Sequence, residues 1–276
     1  MGGLRQVVLG WSLAAAAASG ALAAECTSPV KPSDLTKPGT LVMSTNPTLP
    51  PMQYVDRSGQ LVGMRIELGR EIARRLCLTP DYVKIEFPAM IPGLQAGRWD
   101  MINTGIFFTP ERAKIMQMIP YESQTISIAT ALKPKAPVTR VEDLDGRTIG
   151  VEMGGFEENK AKALDAELKG KGLAGMTIRT FDSYALAYQA LRAGQVEAVV
   201  SIDAVAKEYA DRGEFQRALT GLFPTPVSLA FKNRNLADAV LKVLEAMQAD
   251  GSFAALFGRF GVVPVPGTLA VQGPAG

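Results

Sequence analysis

The 276-residue chain contains no histidine and only two cysteines. Without an imidazole, Ser/His/Asp and Cys/His nucleophilic catalysis and histidine metal sites all drop out. Two thiols are also too few for a Cys-rich zinc site. A formal net charge of +2 leaves no basic surplus to bind nucleic acid. After the first two dozen residues, no apolar run is long enough to cross a bilayer. What is present is ordinary globular composition, 47% hydrophobic and 20% charged, with length for two modest domains or one large one.

The N-terminus reads as an export signal, 1–24. "MGGLRQ" carries one positive charge, "VVLGWSLAAAAASG" is apolar, and "ALAAE" offers small residues for cleavage after Ala23 or Ala24. An uncleaved anchor is the competing reading, but the segment is alanine-rich and barely long enough to span. Glu25 precedes Cys26 where lipid attachment wants a small residue, so a lipoprotein is not expected. Export changes the meaning of the thiols. In an oxidising compartment Cys26, before the first strand, and Cys77, at the end of the first strong helix, are expected to pair. Such a bridge would contribute roughly 4 kcal/mol in the chain-entropy model. Two separate free thiols are the alternative.

Strands and helices alternate along the chain. "TLVMST" (40–45) reads as a strand, and "GMRIELGREIARRLCL" carries Met64, Ile66, Leu68, Ile72 and Leu76 at helical spacing. "VKIEF" is a strand, "IPGLQAG" a helix ending at Gly97, "WDMINTG" a strand, and "SQTISIATAL" (123–132) another. This alternation predicts α/β architecture. One repeat stands out: "LQAGRWDMINT" (94–104) and "LRAGQVEAVVS" (191–201) share the order Leu, Ala-Gly, acid and apolar run. Each is a helix end turning at glycine into a strand. "KPGTLVMST" and "LDGRTIGVE" correspond more loosely, in the same order. The chain therefore reads as two similar lobes: 25–132, then 133–224, with 225–263 returning to the first. The Pro-bearing stretches "KPKAPVTRVEDLDG" (133–146) and "GLFPTPVSLAF" (221–231) are the expected crossings, followed by a helical run over 236–261. Residues 264–276 lack periodicity and read as a loose tail.

The stretch "NTGIFFTPERAK" (103–114) poses a charge question. Thr109 suits an N-cap and Pro110 the first helical position, yet Arg112 then sits where the helix dipole is already positive. Either Arg112 is a solvated surface cation, or it joins backbone amides in receiving an anion.

Taken in order, "LVGMRIELGREIARRL", "MIPGLQAGRWDMINTGIFFTPERAK", "VEDLDGRTIGVEMG", "FDSYALAYQALRAGQVEAVVSIDAVA" and "LKVLEAMQADGSFAALFGRFG" resemble the periplasmic solute-binding proteins of amino-acid ABC transporters, extracellular family 3. The resemblance spans roughly 40–262. It implies the two-lobed type II periplasmic-binding-protein fold, with a ligand cleft between lobes joined by two hinge strands. It also implies capture of a small amino acid in the periplasm, closure of the cleft, and delivery to a membrane permease, with no cofactor, no metal and no reaction. A monomer is expected. In such proteins the arginine of the "TPER" motif grips the ligand's α-carboxylate, which falls on Arg112 here. Thr104, Gly105 and Phe107 would add backbone and hydroxyl contacts. Asp203 would take the α-ammonium, although it could equally just cap the helix it precedes. Gly155 and Phe156 stand where relatives place hydroxyl residues, at a Gly154-Gly155 turn expected to leave amides bare.

The departures concern the side-chain pocket. Asn46 lies where relatives often carry an acid, Leu49 and Met52 replace aromatics, and Phe107 and Phe156 replace hydroxyl residues. Phe87 sits where an aromatic wall is common. Phe108, on the opposite strand face, is expected to be core only. This pocket predicts a neutral ligand side chain, unless Arg65 or Glu157 reaches it. Two other functions compete: a dehydratase on the same fold, for which Glu152 or Glu157 would be the candidate acids, and an envelope sensor.

Overall fold

A computed structural model describes residues 26–274. The proposed signal segment and its cleavage site lie outside these residues. Their first half contains β1 (Thr40–Thr45), a small sheet of β2 (Thr48–Leu49), β3 (Gln53–Val55) and β4 (Leu61–Val62), then α1 (Met64–Arg75) and β5 (Thr79–Lys84). It continues with α2 (Met90–Gln95), β6 (Met101–Phe107), the single turn α3 (Pro110–Ala113) and β7 (Gln117–Thr130). The second half contains β8 (Thr148–Glu152), α4 (Phe156–Gly170), β9 (Thr177–Phe181), α5 (Tyr184–Arg192), β10 (Ala198–Ile202) and α6 (Asp203–Asp211). The long strand β11 (Gln216–Phe231), α7 (Arg234–Ala249), α8 (Ser252–Arg259) and β12 (Val263–Pro264) complete the chain.

The strands form one continuous sheet in the order β5-β1-β6-β11-β7-β10-β8-β9, with β12 on β7. Within each half the outer strands run parallel, joined by helical crossovers. All six residues of β1 are buried, as befits a parallel strand covered on both faces. Leu41 and Met43 enter one apolar cluster and Val42 the other. In α1 the stripe Met64, Leu68 and Ile72 faces inward, and Gly69 lets the helix approach closely. A β-carbon at Gly69 would meet the Tyr82 hydroxyl oxygen at 2.3 Å.

The repeat is structural. Gly97 and Gly194 both adopt left-handed backbone, φ 70° and 69°. Each is followed by an amide that reaches back to the same turn: Arg98 to Gly93 O and Gln195 to Ala190 O, both 2.9 Å. The acids of the repeat play equivalent parts. Asp100 accepts from the Val42 amide at 2.8 Å, and Glu197 accepts from the Thr148 amide at 3.2 Å. Each carboxylate thereby ties the repeat's strand to its parallel neighbour. Cys26 and Cys77 form the expected disulfide, with Cα atoms 5.5 Å apart.

Three expectations change. The crossing between lobes lies inside β7 and β11, not in 133–146. Ile126–Thr130 of β7 already pair with β10 of the second lobe, while Gln117–Ser123 pair with the end of β11 that also pairs with β6. The register of β11 slips repeatedly along β7, and Gly221 and Phe223 take positive φ there. The tail is not loose. β12 pairs with Glu122 and Ser123, Gln272 exchanges two backbone bonds with Met118, and Leu269 is buried. These residues cover the edge of β7 that β10 leaves open. Main-chain pairing needs no side-chain periodicity, which is why the tail carries no pattern. Finally, the helical run 236–261 breaks into α7 and α8 at Gly251, φ 79°.

Candidate functional site

The carboxyl ends of β1, β6, β8 and β10 converge on the gap between the lobes, the usual position of ligand sites in open α/β sheets. The first lobe brings Asn46, Leu49, Phe87, Thr104, Gly105, Phe107 and Arg112 to this gap. The second brings Glu152, Phe156, Glu157, Tyr184 and Ile202. Eight of the ten residues expected from the sequence thus line one cavity.

Arg112 is held from below. The Thr109 hydroxyl caps the turn by accepting from the Arg112 amide at 3.2 Å. The guanidinium lies 5.4 Å from the Phe87 ring centre. It donates to Phe107 O at 2.8 Å and, across the gap, to Gly154 O at 3.1 Å. Among the described residues no carboxylate oxygen lies within 4.0 Å of it. Burial pulls its pKa below the ordinary arginine value, against the opposing pull of Glu157, Tyr184 and Glu152. The guanidinium remains charged all the same. With only four residues in α3, the dipole question posed by the sequence has little weight. What matters is a cation buried to 8% exposure whose partners are two carbonyls.

The second lobe answers with two buried acids. Tyr184 donates its hydroxyl to Glu157, and Asn46 donates to Glu152 at 3.2 Å. Both carboxyls are pushed above the ordinary carboxylate range, first by burial. Glu152 is raised further by its neighbours Glu157 and Glu86. The pocket is therefore more acidic than the reading of Asn46 and the aromatics suggested. The sequence offered both glutamates as candidate acids of a dehydratase and Glu157 also as a residue that could reach the pocket, as it does; it gave no notice of Tyr184 and Ile202. The signal available for both was their place: Tyr184 opens α5 and Ile202 ends β10.

The cleft is closed. Phe107 and Phe156 stack across it with ring centres 4.6 Å apart, and the Asn46–Glu152 and Arg112–Gly154 bonds bridge the lobes. The remaining cavity is about 10 Å³.

Three expected features fall elsewhere. Asp203 neither caps α6 nor enters the cavity. It is the first helical residue, bound by Arg217 through two bonds of 2.8 Å and by the Ser127 hydroxyl. It lines a separate groove of about 700 Å³ beside the crossing strands. The chain direction explains the miss: Ile202 faces the cavity, and the next residue turns away. Gly155 caps α4 beside the cavity, where a β-carbon would stand 2.8 Å from a Glu157 oxygen. The Gly154-Gly155 amides are not bare, because Glu158 accepts from Gly154 and Glu152 O accepts from Gly155. Arg65 does not reach the cavity either. It pairs with Glu122 at 3.0 Å behind Gly105 and receives support from Tyr121 and Gln53. Gln53 in turn donates to Thr104 O, while the Thr104 hydroxyl accepts from the Asn46 amide. Gly105 keeps φ 86°, and a β-carbon there would lie 2.4 Å from Arg65 Cζ.

Residues 41–262 match the model of the bacterial extracellular solute-binding proteins, family 3. A probable ABC transporter arginine-binding protein of Chlamydia trachomatis is 33% identical over 147 residues, 51% of this chain and 52% of that protein's length. An ancestral arginine-binding protein solved with glutamine superposes with a TM-score of 0.74 at 30% identity, covering 80% of this chain and 97% of that one. An ancestral amino-acid-binding protein described as a precursor of cyclohexadienyl dehydratase superposes with a TM-score of 0.72 at 27% identity, covering 80% and 95%.

Proposed function

The chain belongs to the bacterial extracellular solute-binding proteins, family 3, and from that premise we propose that it captures a small amino acid in the periplasm for an ABC importer. The observation that carries this reading is Arg112: a buried fork of donors at the lobe junction, with carbonyls where a carboxylate belongs. A ligand carboxylate would replace Gly154 O and gain a bidentate, charge-assisted pair. The moving bodies are the two sheet halves, turning about residues near 123–125 and 223–226, where β11 slips register on β7. A ligand touched from both sides favours the closed form by its differential affinity alone. The closed monomer then presents both lobes to the membrane permease.

The ligand side chain is neutral in this reading. Leu49, Phe87, Phe107, Phe156 and Ile202 surround it. An unpaired charge among them would cost several kcal/mol, whereas apolar burial gains about 25 cal/mol per Å². Glu157 supports a second reading. It is a buried acid bound by a tyrosine hydroxyl, and could meet the cationic side chain of arginine or lysine. A thermal-shift panel of the twenty amino acids separates the two. Stabilisation greatest with a neutral amino acid is expected. Greatest stabilisation by a basic one assigns Glu157 to the side chain and rejects the neutral pocket. Turnover of a cyclohexadienyl carboxylate by the purified protein would instead reject the transport reading.

A further inference from the structure

We propose that residues 263–274 form a strap that limits how far the two lobes swing open. This goes beyond the transport reading but rests on its two-lobe rotation. The strap follows directly on 41–262, the stretch that matches the family. It is tied through the main chain to the first-lobe half of β7. β12 pairs with Glu122 and Ser123, the Val265 amide donates to Tyr121 O at 3.2 Å, and the Gln272 amide donates to Met118 O at 2.8 Å. Leu269, buried in the core, anchors its far part. Glu122 is fixed a second time by Arg65 of α1. β7 is therefore held on both edges up to Ser123. From Ile126 onward β10 takes over the edge that the strap covers. Between them, Gln124 has a ladder partner only in Thr225 of β11 among the described residues. The turn between the lobes is thereby confined to a short stretch.

The groove of about 700 Å³ shows what the strap meets. Its floor is the hinge itself, 123–125 and 224–226. One wall belongs to the first lobe: Pro51, Met52 and the entry to the strap, 260–263. The other is α6 of the second lobe, with Ala204, Lys207 and Asp211. In sheet order, β11 and β7 stand between β12 and the strands β1 and β6 that reach the ligand cavity. In the second lobe Ile202 lines the cavity and Asp203 the groove. The lobes thus meet on one side of the hinge pair, where about 10 Å³ remains, and stand apart on the other. A rigid turn that widens the cavity must narrow the groove. It carries α6 towards Val263, which is 62% exposed at the facing wall. Where the walls meet, opening stops. The widest angles are excluded, and a larger share of the population lies within reach of closure.

The test reads the lobe angle directly, by electron spin resonance distances between nitroxides at Lys84→Cys and Thr180→Cys. These are exposed positions on β5 and β9, the outer strands of the two lobes. Cys26 and Cys77 are paired and take no label. The full chain is measured alone and with each of the twenty amino acids. Val263→Trp adds bulk at the groove wall, so the mean distance without amino acid is expected to shorten. Val265→Pro combined with Gln272→Pro removes both amide donors that tie the strap to β7, so the distance is expected to lengthen. Each shift should exceed the spread between repeated wild-type samples, and melting curves check that the variants fold. An unchanged or lengthened distance in Val263→Trp overturns the strap as a stop. So does an unchanged or shortened distance in the folded proline variant. Should the proline variant not fold, Val263→Trp decides alone. A wild-type distance that none of the twenty amino acids moves, with both variants shifted as expected, rejects the amino-acid reading and keeps the strap.

Discussion

Arg65 and Arg112 are both buried in the first lobe, and their surroundings differ in one respect. Arg65 has a full set of partners: Glu122 for its charge, and Tyr121 and Gln53 for its remaining donors. Glu122 and Tyr121 raise its pKa against the opposing effect of burial. Arg112 has a cap, an aromatic neighbour and two carbonyls, but no carboxylate within 4.0 Å among the described residues. A buried ion pair that is complete serves the fold and leaves nothing for a ligand. A buried cation whose partners are carbonyls keeps the capacity to pair with an anion, which is what the proposed function asks of Arg112. Burial alone does not separate structural from functional charge; the partner list does.

The largest effects come from making the same change at both arginines. Arg112→Met is expected to leave the melting temperature near wild type and to weaken ligand binding by about a hundred- to a few-thousand-fold, from loss of a roughly 3–5 kcal/mol charge pair. Calorimetry on the folded variant checks it, and wild-type affinity would erase the contrast between the two arginines. Arg65→Met should do the reverse. It strands Glu122 and Tyr121 in the interior, so denaturant unfolding should show a loss of about 3–5 kcal/mol. Where the variant remains folded, ligand affinity should fall far less than with Arg112→Met.

Gly105 lies between these two regions, so Gly105→Ala tests whether they are mechanically linked. The left-handed backbone alone costs roughly 1–2 kcal/mol, and the added β-carbon presses on the Arg65 guanidinium. Both stability and binding should drop in this one variant, measured by melting and titration together.

The smallest effect is in pH. Glu152 and Glu157 have folded pKa values above the ordinary carboxylate range. Their contribution to the stability of the empty protein is therefore fully present below the ordinary carboxylate pKa and is lost as pH rises through the folded values. Ligand-free Glu152→Gln should lose less stability than wild type over that rise, and so melt higher at neutral pH. A wild-type protein whose melting temperature falls no more steeply than that of the variant would contradict the burial of an unpaired acid.

Much of this molecule was legible before any coordinates. α1 carries a helical periodicity, while β1 and β6 are short apolar runs read as strands from their length and their place in the strand–helix alternation. The Gly97 and Gly194 turns follow from the left-handed conformation that a helix end requires. The pairing of Cys26 with Cys77 followed from an expected export signal and two thiols. The motif around Arg112 pointed to a side chain that lines the cavity, because the Thr109 cap and Pro110 fix the turn locally. These are short-range or exhaustive arguments, and one sequence suffices for them.

What failed depended on distance. The apolar pattern of "VEAVVSIDAVA" does not reveal whether Ile202 or Asp203 faces the cleft, since a one-residue shift exchanges the faces of a strand. Arg217, which settles the fate of Asp203, is fourteen residues away and on another strand. The tail gave no signal because its hold on β7 is through the main chain. Glu152 and Glu157 were named as candidate acids, but their burial and their partners Asn46 and Tyr184 come from distant parts of the chain. The sequence by itself determined most of the elements, the family of the fold and the place of Arg112 at the cavity. Tertiary structure alone decided which charges meet, because a carboxylate's role is set by the few ångströms around it and those neighbours come from distant parts of the chain.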